Sequence, residues 1–309
     1  MKLGYFSACL PGLDLPAVVE HAASAGFGAL EVAAWPAQSR DHTASHINVR
    51  DLGPTNCEAI TDLFSRHGLT LSAVSCYDNN LHPDESQRAA NHDHVRACIR
   101  AAAMLGVPCV GTFIGRNPSQ TVAENLKLAE RAIRPLAEFA GEHDVKLVIE
   151  NCPMEGWHAD GYPGNLAYSP ELWEWMFSLG LYLNYDPSHL LWLGIDPVGA
   201  IRWLGAHHPD RIQHVQAKDT VIDPGGRDRF GIFGQAVSRE DPWKSGWWHY
   251  RMPGLGQVDW PGVIDALYEY GYAGTVAIEH EDHIWSGSQQ RVSHGLELAR
   301  RTLQPLIVT

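Results

Sequence analysis

The chain has 309 residues, 45% of them hydrophobic and 19% charged, with a formal net charge of −13. That length supports a large buried core, and an acidic balance without clustered Lys and Arg argues against nucleic acid or another polyanion as partner. No run of about 20 apolar residues occurs, and the opening Met1–Ser7 stretch lacks the apolar segment of a secretion signal, so no membrane association is expected. The six cysteines, Cys9, Cys57, Cys76, Cys98, Cys109 and Cys152, contain no Cys-x-x-Cys pair. In a chain of this size that pattern predicts reduced, mostly buried thiols and a cytoplasmic protein.

In chain order, apolar strand-like runs at 3–7, 29–33, 69–75, 109–113, 146–150, 181–186, 211–217 and 275–279 alternate with amphipathic stretches. The stretches at 15–25, 56–67, 92–105, 121–143, 170–179, 197–207 and 260–270 read as helices, and a last one at about 288–304 closes the series. Glycines at 26, 68, 106, 180 and 271 stand just past helices, at the left-handed cap position. Strands too apolar to face water, each followed by a helix, predict a parallel sheet covered on its outer side. The expected architecture is one (β/α)₈ TIM barrel domain spanning 1–309.

Two connections are longer than joints need to be. The first, about 36–53, carries His42, His46 and Arg50; the second, about 219–258, is rich in Gly, Pro and aromatic residues. Both follow strands, so both belong on the C-terminal rim, where long loops act as lids or binding loops.

Four strands in the second half end on residues that ligate metals: Glu150, Asp186, the segment His214-Val215-Gln216, and Glu279. At the C-terminal rim of a barrel such side chains converge. Two Glu, one Asp and an imidazole or amide form an oxygen-rich cage suited to a hard divalent cation. Mn²⁺ is the first expectation, with Mg²⁺ and Co²⁺ as the other candidates. Lys218 and Asp219 close the seventh strand and are candidates to bind sugar hydroxyls. In the second long loop His249 and Arg251 are candidates for substrate contact, and Trp247 and Trp248 offer flat apolar faces.

The segments Ile149–Pro153, Asp186–His189, His214–Asp219 and Ile278–Asp282 resemble the sugar phosphate isomerase/epimerase family with a xylose isomerase-like barrel. The stretch Gly246–Gly256 is similar to a bacterial branch of it. The resemblance implies that Glu150, Asp186 and Glu279 are the carboxylate ligands, that Glu150 and Glu279 double as acid and base, and that His189 contacts substrate. Where the family carries a metal-binding His, this chain has Gln216, a neutral donor. Gln216 is taken as the fourth ligand, with His214, one layer deeper on the same face, as the alternative.

The implied activity is sugar isomerisation or epimerisation. The alternative is a lyase that cleaves 3-keto-glycosides or C-glycosides by β-elimination. The partner expected is a sugar or keto-sugar derivative, and a homo-oligomer or a hetero-oligomer with a small partner subunit stays open. A DNA-repair nuclease on the same barrel would need a basic face, which the charge of −13 does not supply.

Overall fold

The computed structural model describes residues 1–36, 44–158, 161–237 and 245–308. Eight parallel strands close into a barrel: β1 (Lys2–Phe6), β2 (Ala29–Ala33), β3 (Thr70–Ser75), β4 (Cys109–Thr112), β5 (Lys146–Glu150), β6 (Tyr182–Tyr185), β7 (Ile212–Ala217) and β10 (Thr275–Ile278). β10 hydrogen-bonds both β7 and β1, which closes the ring. The strands are buried almost throughout, as a sheet with helices outside and side chains inside requires. All five glycines expected to end helices have positive φ, between 65° and 87°. Among the described residues, no helix is long and apolar enough to cross a membrane.

Three helical expectations are corrected. The stretch 121–143 is two helices, Val122–Ala132 and Arg134–Glu142. Pro135 stands in the first turn of the second, where its missing N–H costs nothing, but it cannot bond back into the first helix. The helix expected from 92 begins at Glu85, capped by Asp84, whose side chain accepts from the Gln87 amide. Its first turns are polar and exposed, so no apolar period marks them. The Asp186-Pro187-Ser188-His189 segment, which no expected helix covers, opens a helix (Pro187–Leu193) with Asp186 as its N-cap.

The long second connection is itself structured. An antiparallel hairpin, β8 (Asp219–Ile222) with β9 (Trp248–Arg251), frames a short helix at Pro224–Phe230. Asp219 holds its return: the carboxylate accepts from the Gly254 and Val258 amides and the Trp260 indole at 2.9–3.1 Å. Asp219 is therefore an anchor of the hairpin and not a sugar ligand. In the first connection His46 bonds Ser7 Oγ and the Leu10 carbonyl, and Arg50 pairs with Asp93 at 2.8 Å. His42 lies outside the described residues.

The barrel interior carries a polar network. Ser72 Oγ meets His214 Nε2 at 3.1 Å, and His214 Nδ1 meets Asn184 Oδ1 at 3.0 Å. Asn184 donates to Tyr77 Oη, Tyr77 donates to Glu31, and Gln216 Nε2 donates to both Glu31 and Tyr77. β7 and β2 are not neighbours in the sheet, so the Gln216–Glu31 pair must span the interior. These bonds let the barrel bury groups that would otherwise carry the full cost of desolvation.

Candidate active site

A cavity of about 1620 Å³ opens at the C-terminal ends of the strands. Its wall has two halves. On the side of the first four strands stand Phe6, Trp35, Tyr77 and Phe113, with Trp157 beyond β5. Successive rings in this wall lie 5.0–5.8 Å apart by centroid, from Trp35 to Phe6, Tyr77, Phe113 and Trp157, as packed aromatics do. On the other side stand Glu150, Lys218, Tyr250, Glu279 and Glu281.

The carboxylates of Glu150, Asp186 and Glu279 offer oxygens that all lie within 4.8 Å of one another. Each sits at the end of its strand or one residue past it. The Asn151 side chain fixes two of these ends together, donating to the Asp186 carbonyl and accepting from the Asp186 amide at 2.8 and 2.7 Å. Lys218 projects into the cluster, with Nζ 2.5 Å from Glu279, 3.0 Å from Glu281 and 3.5 Å from Asp186. Burial alone would lower the lysine's pKa, but the surrounding carboxylates outweigh it and keep the ammonium charged. Its charge also faces the Tyr250 ring at 4.5 Å.

His189 is fully buried and bonded on both ring nitrogens. Nε2 meets Glu150 Oε1 at 3.0 Å, and Nδ1 meets Tyr250 Oη at 2.8 Å. Burial, with the Lys218 charge beside it, lowers its pKa to about 3, so the imidazole is neutral. Burial pushes Glu150 up to about 8 and raises Glu279 well above the carboxylate range.

These residues fit a divalent cation. Four carboxyl groups face one ammonium, so their ionisation leaves an excess of negative charge for a cation to balance. Asp186 Oδ2 and Gln216 Oε1 are buried without a hydrogen-bond partner. Hard oxygen donors with unused lone pairs suit Mn²⁺, Mg²⁺ or a related ion.

Four expectations for site residues change. His189 does not line the cavity among the described residues; Tyr250 covers it and takes the exposed position. Trp248 stacks on Trp192 at 4.4 Å and 7° and packs the hairpin instead of facing a sugar. His249 lies edge-on to His283, and Arg251 pairs with Asp282 at 2.8 Å. Neither lines the cavity among the described residues. Successive residues of an extended hairpin alternate faces, so Tyr250 points inward while its two neighbours point away. The amide nitrogen of Gln216 is committed to Glu31 and Tyr77, leaving only its oxygen as a donor. His214 is bonded on both nitrogens within the interior network, which removes it as the alternative ligand.

Sequence reasoning missed Glu31, Tyr77 and the aromatic wall. The signals were present: a glutamate inside the otherwise apolar Ala29–Ala33 strand, and an aromatic at or within two residues of the end of each of the first four strands.

The raised carboxyls make a thermodynamic prediction. Metal binding requires both glutamates ionised, and burial shifts both toward the protonated form, Glu150 to a pKa of about 8. Mn²⁺ binding at pH 7 is therefore expected to release protons, about one of them from Glu150, and the affinity to rise with pH through about 8. Calorimetry in buffers of different ionisation enthalpy measures the release directly; binding without proton release would contradict this account of the cluster.

Fold and site together define a parallel (β/α)₈ barrel with a carboxylate cage at its C-terminal mouth. The chain belongs to the xylose isomerase-like TIM barrel family, whose family model matches residues 19–302. It is 28% identical over 307 residues to the uncharacterized protein YfiH of Bacillus subtilis (strain 168), covering 91% of this chain and 93% of that one. Among solved structures, D-psicose 3-epimerase in the presence of D-fructose superposes with a TM-score of 0.67 at 16% identity, covering 98% of this chain and 99% of the other. The IolI protein with a bound zinc atom gives 0.67 at 16% identity, covering 99% and 96%.

Proposed function

We propose that the protein is a divalent-metal-dependent isomerase or epimerase of a sugar or keto-sugar derivative. The observation that carries this reading is the pair of glutamates, Glu150 and Glu279, at one end of a single cavity, both with raised pKa and both within reach of one cation site. A carboxyl that titrates near neutral pH can both take and return a proton beside a carbonyl. A cation held by Glu150, Asp186 and Glu279, with the Gln216 oxygen as a further donor, would polarise that carbonyl and balance the charge that develops. Glu150 removes the proton from one face of the substrate and Glu279 supplies one from the other. Lys218 lies against Glu279 and partly offsets the cost of its ionisation, and His189, held by Tyr250, orients Glu150. The aromatic wall shelters the reacting carbon from water. The epimerase among the fold neighbours lends the reading support as likeness of fold.

A second reading follows from the cavity. At about 1620 Å³ it exceeds the 300–1,000 Å³ range usual for small-ligand sites. Room beside the cage for an aglycone favours a 3-keto-glycoside as substrate. There the same proton removal would expel the group two carbons on, as a lyase does.

Both readings are tested by incubating the Mn²⁺-loaded protein in D₂O with D-fructose, D-psicose and a 3-keto-glucoside. NMR then follows deuterium at the carbon beside the carbonyl. Exchange with epimer or isomer formation is the expected result, and release of the aglycone would mark elimination. No exchange and no product from any of these substrates would overturn proton transfer as the activity.

A further inference from the structure

Behind the aromatic wall lies a second cluster that the proposed chemistry does not use. Cys76 follows β3, and His94 and Cys98 lie one turn apart on the Glu85–Leu105 helix. Their Sγ, ring nitrogen and Sγ atoms lie within 4.8 Å of one another, and all three residues are buried. The two sulfurs are 3.8 Å apart. Two thiolates bound about 2.3 Å from a tetrahedral zinc ion stand about 3.8 Å apart. A disulfide would require them at about 2.05 Å.

The histidine is arranged as a ligand would be. Its Nε2 lies 2.7 Å from the Ala34 carbonyl, which can only accept, so the ring proton is on Nε2. Nδ1 keeps its lone pair on the side of the Cys98 sulfur, and His94 is only 4% exposed. Ligating imidazoles characteristically donate their other N–H to such a carbonyl, which fixes tautomer and ring orientation. His94 also lines the main cavity, so a small cation has a route in and a water can complete the coordination.

We infer that Cys76, His94 and Cys98 form a second metal site, selective for a thiophilic cation of the zinc class and separate from the oxygen-donor cage of Glu150, Asp186 and Glu279. The two donor sets sort metals by softness. A cation bound there would tie the Glu85–Leu105 helix to the chain just before Tyr77, and so brace the residue that bonds Glu31 and lines the cavity.

The test is a Co²⁺ titration of the reduced, chelator-stripped full-length protein. The expected result is a thiolate-to-cobalt charge-transfer band that saturates at one equivalent and disappears on adding excess Zn²⁺. Asp186→Asn should keep the band, because the cage supplies no thiolate. Cys152→Ser should also keep it, which matters because Cys152 lies beside Glu150 and His189 and is the other thiol near a ligand cluster. Cys98→Ser should lose it. If Cys98→Ser fails to fold, X-ray absorption of the zinc-loaded wild type decides, with two sulfur neighbours at about 2.3 Å expected. No charge-transfer band in the wild type, a band abolished by Cys152→Ser, or a zinc shell without sulfur would overturn the site.

Discussion

Glu279→Gln is expected to reduce deuterium exchange into a turned-over substrate by about 10²- to 10⁴-fold, the range for loss of a positioned acid or base. The amide is nearly the same size, but it can neither hold the transferred proton nor supply a charged metal donor. Mn²⁺ affinity should fall in parallel. The urea denaturation midpoint should stay close to wild type, because Glu279 stands at the rim just past β10 and Lys218 retains Glu281 and Asp186 as partners. Single-turnover exchange at saturating Mn²⁺ separates the two effects. Wild-type exchange under those conditions would remove Glu279 from the proton-transfer pair and leave it a metal ligand alone.

Lys218→Met should have the largest effect on stability. The buried ammonium is the cation that offsets the carboxylates around it, and removing it leaves them uncompensated. Breaking a buried ion pair from one side typically costs about 3–5 kcal/mol. We expect about 3 kcal/mol in the metal-free protein, the lower end, because the Glu281 side chain is 49% exposed and water screens its share. The sign of the pH dependence follows from the carboxyls. Without Lys218 the raised folded-state pKa values of Glu150, Asp186 and Glu279 rise further and the lowered one of Glu281 moves back up, so the folded state binds more protons than it does with the lysine. The deficit is then small where they are protonated and grows as pH rises through about 8. Mn²⁺ should offset much of it, since a divalent cation replaces the missing charge. Urea titrations with Mn²⁺ or chelator at pH 6 and pH 9 give all four values. A variant as stable as wild type in chelator at pH 9 would show that Lys218 is not what neutralises the cluster.

The barrel was legible in the sequence because its signals are local. Apolar runs of five to seven residues, helical spacing between them and a glycine at five helix ends depend on neighbours along the chain. They reappear in the structure within a residue or two. The carboxylates Glu150, Asp186 and Glu279 were legible for a related reason: once strands are parallel and closed into a ring, a polar residue at each C-terminal end has one place to go. Helix limits failed where the sequence signal was weak. The polar first turns of the Glu85–Leu105 helix show no apolar period, and the Pro187–Leu193 helix hides behind a proline that also starts turns.

What the sequence alone left undetermined depends on pairs of residues far apart in the chain. Glu31 meets Gln216 across 185 positions, and Lys218 meets Glu279 across 61. Whether Gln216 offers its oxygen or its nitrogen to the interior is decided by Glu31, which no local pattern around Gln216 reveals. Likewise Trp248, His249 and Arg251 looked suited to a sugar by residue type, yet the hairpin register turns Tyr250 to the cavity and gives the others partners outside it. Residue type and spacing along the chain determined the barrel and the carboxylates at its mouth. The closure of the ring and the pairing of the hairpin decided which side chains face that mouth, because those contacts arise only when distant segments are brought together.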